Sequence, residues 1–93
     1  HNYTVTLFTA GRYKEALDVA NLGLKICIKY MHYRFLPGFL DLIGGCYFYK
    51  GNLEKCKEYY RNAYCLYKVM GNERDRVLLE RTAKERLNLE FPF

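Results

Sequence analysis

The side chains most able to do chemistry in this chain are four cysteines, Cys27, Cys46, Cys56 and Cys65, and two histidines, His1 and His32. A thiolate beside an imidazole makes a nucleophile, and a Cys/His tetrad makes a zinc site. Neither pattern is present. No two cysteines form a C-x-x-C pair, and the histidines stand at no ligand spacing from them. Each cysteine falls inside an apolar helical pattern where a small side chain can be buried, so all four read as reduced core thiols. That usage points to a cytoplasmic compartment. His32, between Tyr30 and Arg34, reads as a partly exposed residue at a helix end, and nothing brings Cys27 or Cys46 to it with an orienting third group. Gly-rich phosphate loops, H-E-x-x-H and paired-acid motifs are also missing. The expectation is a protein that is not an enzyme and takes no metal or cofactor.

Composition bounds the alternatives. Hydrophobic residues make up 51% of the 93, enough to bury the core of one small domain and too many for a disordered chain. No run of about 18 uncharged apolar residues occurs, so no membrane span and no membrane partner is expected. The net charge is +5, yet residues 73–90 carry five acids and five bases that cancel. The excess is spread singly over residues 1–72, as on a solvated face; a nucleic-acid footprint would be clustered. It implies a mild preference for acidic partners. The chain lacks an initiating Met and opens abruptly into an apolar pattern, and so reads as a fragment whose N-terminal part is missing.

The elements that position these side chains are helical. Gly11, Gly51 and the Gly71-Asn72 pair each close one pattern and open the next, and Phe35-Leu36-Pro37-Gly38 supplies a further break. Between the breaks the apolar spacing predicts helices over about 2–10, 13–34, 38–50, 53–70 and 73–90, with Asn52 and Asn72 as caps. No stretch alternates with period two for long enough to predict a strand. The second helix is expected to run on through Ile26, Tyr30 and Tyr33. The last carries a stripe of Val77, Leu78, Ala83 and Leu87 against Arg81/Glu85 and Glu80/Lys84 pairs, which suits a capping helix with a polar outer face.

One layout occurs twice. Gly11-Arg12-Tyr13-Lys14-Glu15-Ala16 and Gly51-Asn52-Leu53-Glu54-Lys55-Cys56 place a glycine turn, a polar residue, a large apolar residue, a charged pair and a small residue in the same order, 40 residues apart. Within the second copy Leu40, Ile43, Gly44 and Tyr47 mark one helix face, and Cys56, Tyr60 and Ala63 mark the face that should meet it. Antiparallel helices approach closely where one offers a small side chain to the other's bulk. Gly44 and Cys56 are small; Tyr47 and Tyr60 are bulky.

Leu40-x-x-Ile43-Gly44-x-x-Tyr47 followed by Cys56-x-x-x-Tyr60 and Ala63 resembles the tetratricopeptide signature, and the nine-residue step from Tyr47 to Cys56 is the one that family uses. An earlier copy, Tyr3-Thr4-x-x-Leu7 and then Ala16-x-x-x-Ala20, matches less fully. The resemblance covers about residues 1–72. It implies an all-α superhelix: hairpin 1 over about 2–34, hairpin 2 over about 38–70 and a capping helix over about 73–90. The repeat is longer here than the family's usual one, and the proline that normally ends it is missing. Two hairpins are few for a freestanding solenoid, so further upstream repeats or a homo-oligomer through exposed apolar faces is expected.

In that family the first helix of each hairpin lines a groove for peptide segments. Carried over by position, the groove candidates are Val5, Phe8 and Thr9, then Asp41, Gly45, Phe48 and Tyr49. Phe48 and Tyr49 either form a stacking floor for a ligand or pack on a preceding hairpin outside the fragment. A clamp for a terminal carboxylate is not implied, since Asp41, Leu42 and Gly45 offer no cation. The stretched repeat, the Gly51–Tyr60 segment and the Tyr/Lys-rich composition further resemble the sensor part of bacterial helix-turn-helix transcriptional regulators. That resemblance implies a protein or peptide partner, with nucleic acid bound only through a missing N-terminal domain. A plain scaffold repeat is the first rival. An RNA-reading α-solenoid is a second, but Thr4/Gly44 and Val5/Gly45 do not supply the repeated polar residues it needs.

Overall fold

Glycine, proline and asparagine cues divide the chain into rods, and the architecture follows those divisions closely. The structure, a computed structural model, describes Leu7 and residues 10–88. Among these it is all helical: α1 is Tyr13–Lys29, a 3-10 turn covers Tyr33–Phe35, α2 is Leu36–Tyr49, α3 is Leu53–Val69 and α4 is Glu73–Leu87. Consecutive helices pack together in order, with α2 between α1 and α3, and α4 against α3.

Short corners force each rod to double back. At Gly11, Gly51 and Gly71 φ is +78°, +84° and +72°, the left-handed conformation that glycine adopts without a steric penalty. In each corner the next residue's N–H reaches back across the helix end: Arg12 to Leu7, Asn52 to Tyr47 and Asn72 to Tyr67. These bonds take up carbonyls that would otherwise be left unpaired. The Asn52 and Asn72 side chains then cap the following helices, accepting from Lys55 N–H at 3.2 Å and from Asp75 N–H at 3.4 Å. Arg12 caps nothing; it pairs with Glu15 one turn on.

The α1 boundary departs from expectation. The helix stops at Lys29, not near residue 34, because Met31 takes φ +59° and His32 N–H bonds to the Cys27 carbonyl at 2.8 Å. This is the same corner with methionine where the others carry glycine. The left-handed residues of the corners between helices thus stand at 11, 31, 51 and 71, a step of 20 residues each time, and a further one, Asn88, ends α4. Tyr30 and Tyr33, expected to continue the helix, lie in or after this corner and are exposed. Pro37 falls in the first turn of α2, as its fixed φ favours.

Packing follows the small-on-large rule. A β-carbon on Gly44 would lie 2.5 Å from Cδ1 of Tyr60, so the α2–α3 crossing tolerates no side chain there. A β-carbon on Gly23 would lie 2.6 Å from the Phe39 ring at the α1–α2 crossing, a contact the sequence pattern did not bring out. Ala16, Ile43, Cys56, Tyr60 and Ala63 are fully or almost fully buried, Gly44 is buried, and Leu40 and Tyr47 are partly buried against the core. On α4 the buried stripe is Leu79 and Ala83, with Leu87 packed beside them. Val77 and Leu78, assigned to the stripe on spacing, are exposed. Residues 79, 83 and 87 share one face at intervals of four; 77 and 78 lie off it. Cys65 is likewise exposed, while Cys27, Cys46 and Cys56 are buried. It falls between Tyr64 and Tyr67, outside the inward stripe of α3.

Candidate peptide-binding face

Asp41, Gly45, Phe48 and Tyr49 recur at steps of four, three and one along α2, which turns them toward one side of that helix. Gly45 is buried, Asp41 and Phe48 are partly buried, and Tyr49 is 47% exposed. Val5, Phe8 and Thr9 lie outside the described residues.

At the C-terminal end of α2 an aromatic layer forms. The Tyr49 ring stacks on Tyr13 of α1, with centroids 4.6 Å apart and planes 4° from parallel. Phe48 meets Tyr49 edge-on at 5.1 Å. The guanidinium of Arg86, from the last turn of α4, lies 5.0 Å from both the Phe48 and Tyr49 ring centres. It also donates from Nη1 to the Tyr60 hydroxyl at 2.9 Å and from Nη2 to the Tyr49 hydroxyl at 3.2 Å. Among the described residues Tyr49 thus meets Tyr13 of α1 and Arg86 of α4, and Phe48 packs on the α3–α4 core beside Arg86. Stacking on two rings satisfies a guanidinium face while its edge remains a donor.

Toward the N-terminal end of α2, Asp41 accepts from the Tyr67 hydroxyl of α3 at 3.2 Å. Burial pushes the Asp41 carboxyl up to about 6, the Tyr67 hydrogen bond opposes that shift, Asp75 adds to it and Arg86 lessens it. Burial, with Asp41 close by, also raises Tyr67 above the ordinary tyrosine range. A second polar link joins α3 to α4: Tyr64 donates to Glu80 Oε1 at 3.1 Å, and Arg76 Nη1 reaches the same oxygen at 2.6 Å. Glu80 thus answers Arg76 on its own helix.

Nothing in this arrangement makes a nucleophile. Burial pushes the Cys46 thiol up to about 11 and raises Cys56 as well, so both stay protonated. His32 is exposed at the α1–α2 corner. Among the described residues no group of three or more His, Cys, Asp or Glu side chains is placed to hold a metal ion. What the face offers is aromatic surface with one cation and one carboxyl at opposite ends.

The family resemblance named Asp41, Gly45, Phe48 and Tyr49, and nothing in the sequence signalled that Tyr13, Tyr67 and Arg86 lie beside them. Arg86 sits in a helix whose charged residues read as a solvated face, and only its length and its position across from α2 bring it onto the rings. No family model, curated protein or solved structure matches the chain.

Proposed function

We propose that this chain is a tetratricopeptide-type module that binds a peptide or protein segment on the α2 face, and that it serves as the sensor or oligomerisation part of a bacterial transcriptional regulator. The reading rests chiefly on one observation: Tyr49, half exposed, stacks on Tyr13 and is contacted by the Arg86 guanidinium. A rigid aromatic with a donor at its edge loses little conformational entropy when it contacts an extended chain, the property that makes such side chains strong anchors. The nested crossing at Gly44 and Tyr60 and the 20-residue spacing of the corners support the helical-repeat scaffold beneath it. Any DNA contact would come from residues beyond these.

Short peptides selected by display on the intact chain provide the test. A synthetic selected peptide should bind Tyr49→Ser at least about tenfold more weakly than the parent chain, while Leu22→Ser, exposed on α1, should bind normally. Equal affinity for the parent and Tyr49→Ser removes the site. The full-length sequence separates regulator from scaffold, since the regulator reading requires a helix-turn-helix pattern upstream of residue 1.

A further inference from the structure

The exposed apolar side chains are unevenly placed. The α1–α2 and α3–α4 corners share one end of the bundle, because Arg34, Phe35, Pro37 and Gly38 line the same cavity as Tyr67, Asn72 and Asp75. That end exposes Tyr30, Met31, Tyr33 and Phe35 from the first corner and Val69 and Met70 from the second. Met31 and Val69 protrude furthest, at 72% and 83% exposure. Met31 does so from a left-handed backbone that glycine would occupy without strain.

Cations surround these side chains. Between Asp18 and Asp41 the chain holds Lys25, Lys29 and Arg34 and no acid. Lys29 Nζ lies 5.5 Å from the Tyr30 ring centre and Arg34 lies 5.4 Å from that of Phe35, which sets a positive head beside each exposed ring. Lys68 adds a charge from the second corner. Two acids also stand at the second corner: Asp75 accepts from the Asn72 side chain at 2.8 Å, and Glu73, largely exposed, lies 4.0 Å from Arg76.

We propose that this end of the bundle docks on an anionic phospholipid surface, with the apolar side chains entering the headgroup boundary and Lys25, Lys29, Arg34 and Lys68 meeting the phosphates. Rings and thioethers flanked by long cationic side chains are suited to that boundary, where the apolar part sinks and the charge stays wet. Ile28, Met31, Val69 and Met70 are aliphatic and have no stacking role toward nucleic acid bases. A partner helix would need an apolar slot, whereas the cavity between the corners, about 430 Å³, is walled by Arg34, Asn72 and Asp75 as well as Phe35 and Pro37. Fluid lipid accommodates separate protruding side chains without such a slot. The expectation of no membrane partner rested on the lack of a spanning run, and among the described residues no helix is long and apolar enough to cross a membrane; docking on the surface requires none.

Co-sedimentation with phosphatidylcholine vesicles, with and without phosphatidylserine, tests this on the intact chain. The chain should sediment with the serine-containing vesicles and release as salt is raised. Met31→Asp and Val69→Asp should each lower partitioning by on the order of tenfold, and Lys25→Ala, Lys29→Ala and Arg34→Ala by about fivefold each. Asp tolerates the left-handed corner, and Val69 is solvent-exposed, so circular dichroism should show both aspartate variants folded. Leu53→Asp, exposed at the other end, should partition as the parent does. Failure to sediment with serine-containing vesicles, or an equal loss in Leu53→Asp, overturns the proposal. So does a concentration-dependent dimer that Met31→Asp dissolves while vesicle binding is absent, which would make this end a contact between two copies.

Discussion

Arg86 on α4 donates to the hydroxyl of Tyr60 on α3 at 2.9 Å while lying over the rings of Phe48 and Tyr49 on α2. One side chain therefore ties three consecutive helices together, although α4 packs chiefly on α3. Replacing Arg86 with Ala removes two hydrogen bonds and the ring contacts and leaves the buried Tyr60 hydroxyl without this donor. The expected loss is roughly 1–3 kcal/mol in urea unfolding. Arg86→Lys should recover only part of it, because an ammonium cannot stack on both rings and bond both hydroxyls.

Gly44 has no room for a side chain. With its β-carbon 2.5 Å from Tyr60, Gly44→Ala must push the α2–α3 crossing apart. The gain in helix propensity, about 1 kcal/mol, opposes an overpacking penalty of roughly 1–3 kcal/mol. The net outcome should be destabilising, and Gly44→Ala with Tyr60→Leu should recover stability relative to Gly44→Ala alone. A single variant as stable as the parent would show that the crossing is looser than described.

The corner at Met31 predicts the opposite sign. A non-glycine residue held at φ +59° is strained by about 1 kcal/mol, so Met31→Gly should raise the melting temperature by several degrees. Gly51→Met, the reciprocal change in the next corner, should lower it by a similar amount.

Asp41 makes stability depend on mild acid. Its folded-state pKa, about 6, lies above the ordinary aspartate value of 3.8, so between these values the folded chain holds more of the proton than the unfolded chain. Stability contributed by this group is present below about pH 4 and declines as pH rises through 6, the reverse of a salt-bridged carboxylate. Asp41→Asn keeps an acceptor for Tyr67 and cannot ionise. It should be more stable than the parent at pH 7 by roughly 1–3 kcal/mol and should flatten the change between pH 4 and 6. Urea midpoints across that range would show it, and a variant with an unaltered slope would rule it out.

Thiol reactivity should be graded by position. Cys65 is exposed, whereas Cys46 and Cys56 are buried and kept protonated. A disulfide reagent should modify Cys65 rapidly in the folded chain and the buried thiols only on unfolding. Peptide mapping that found Cys46 labelled first would contradict the packing of α2.

Much of the fold was legible because its determinants are local. A glycine able to take positive φ, an asparagine able to cap and a proline suited to a first helical turn each act within a few residues, so Gly11, Gly51, Gly71, Asn52, Asn72 and Pro37 marked their corners in the bare sequence. Small and large residues at fixed steps likewise marked the Gly44–Tyr60 crossing. The corner at 31 was hidden because methionine occupies the position where glycine would have signalled it, and the strain there is sustained by the packing of α1 against α2. Periodicity placed Val77 and Leu78 inward on α4, but which stripe faces α3 depends on how the two rods are rotated, a quantity no single helix encodes. Only the tertiary structure brought Arg86 to Phe48, Tyr49 and Tyr60, and Asp41 to Tyr67. Long side chains choose partners across space, and the attraction that selects them exists only after the backbone has folded.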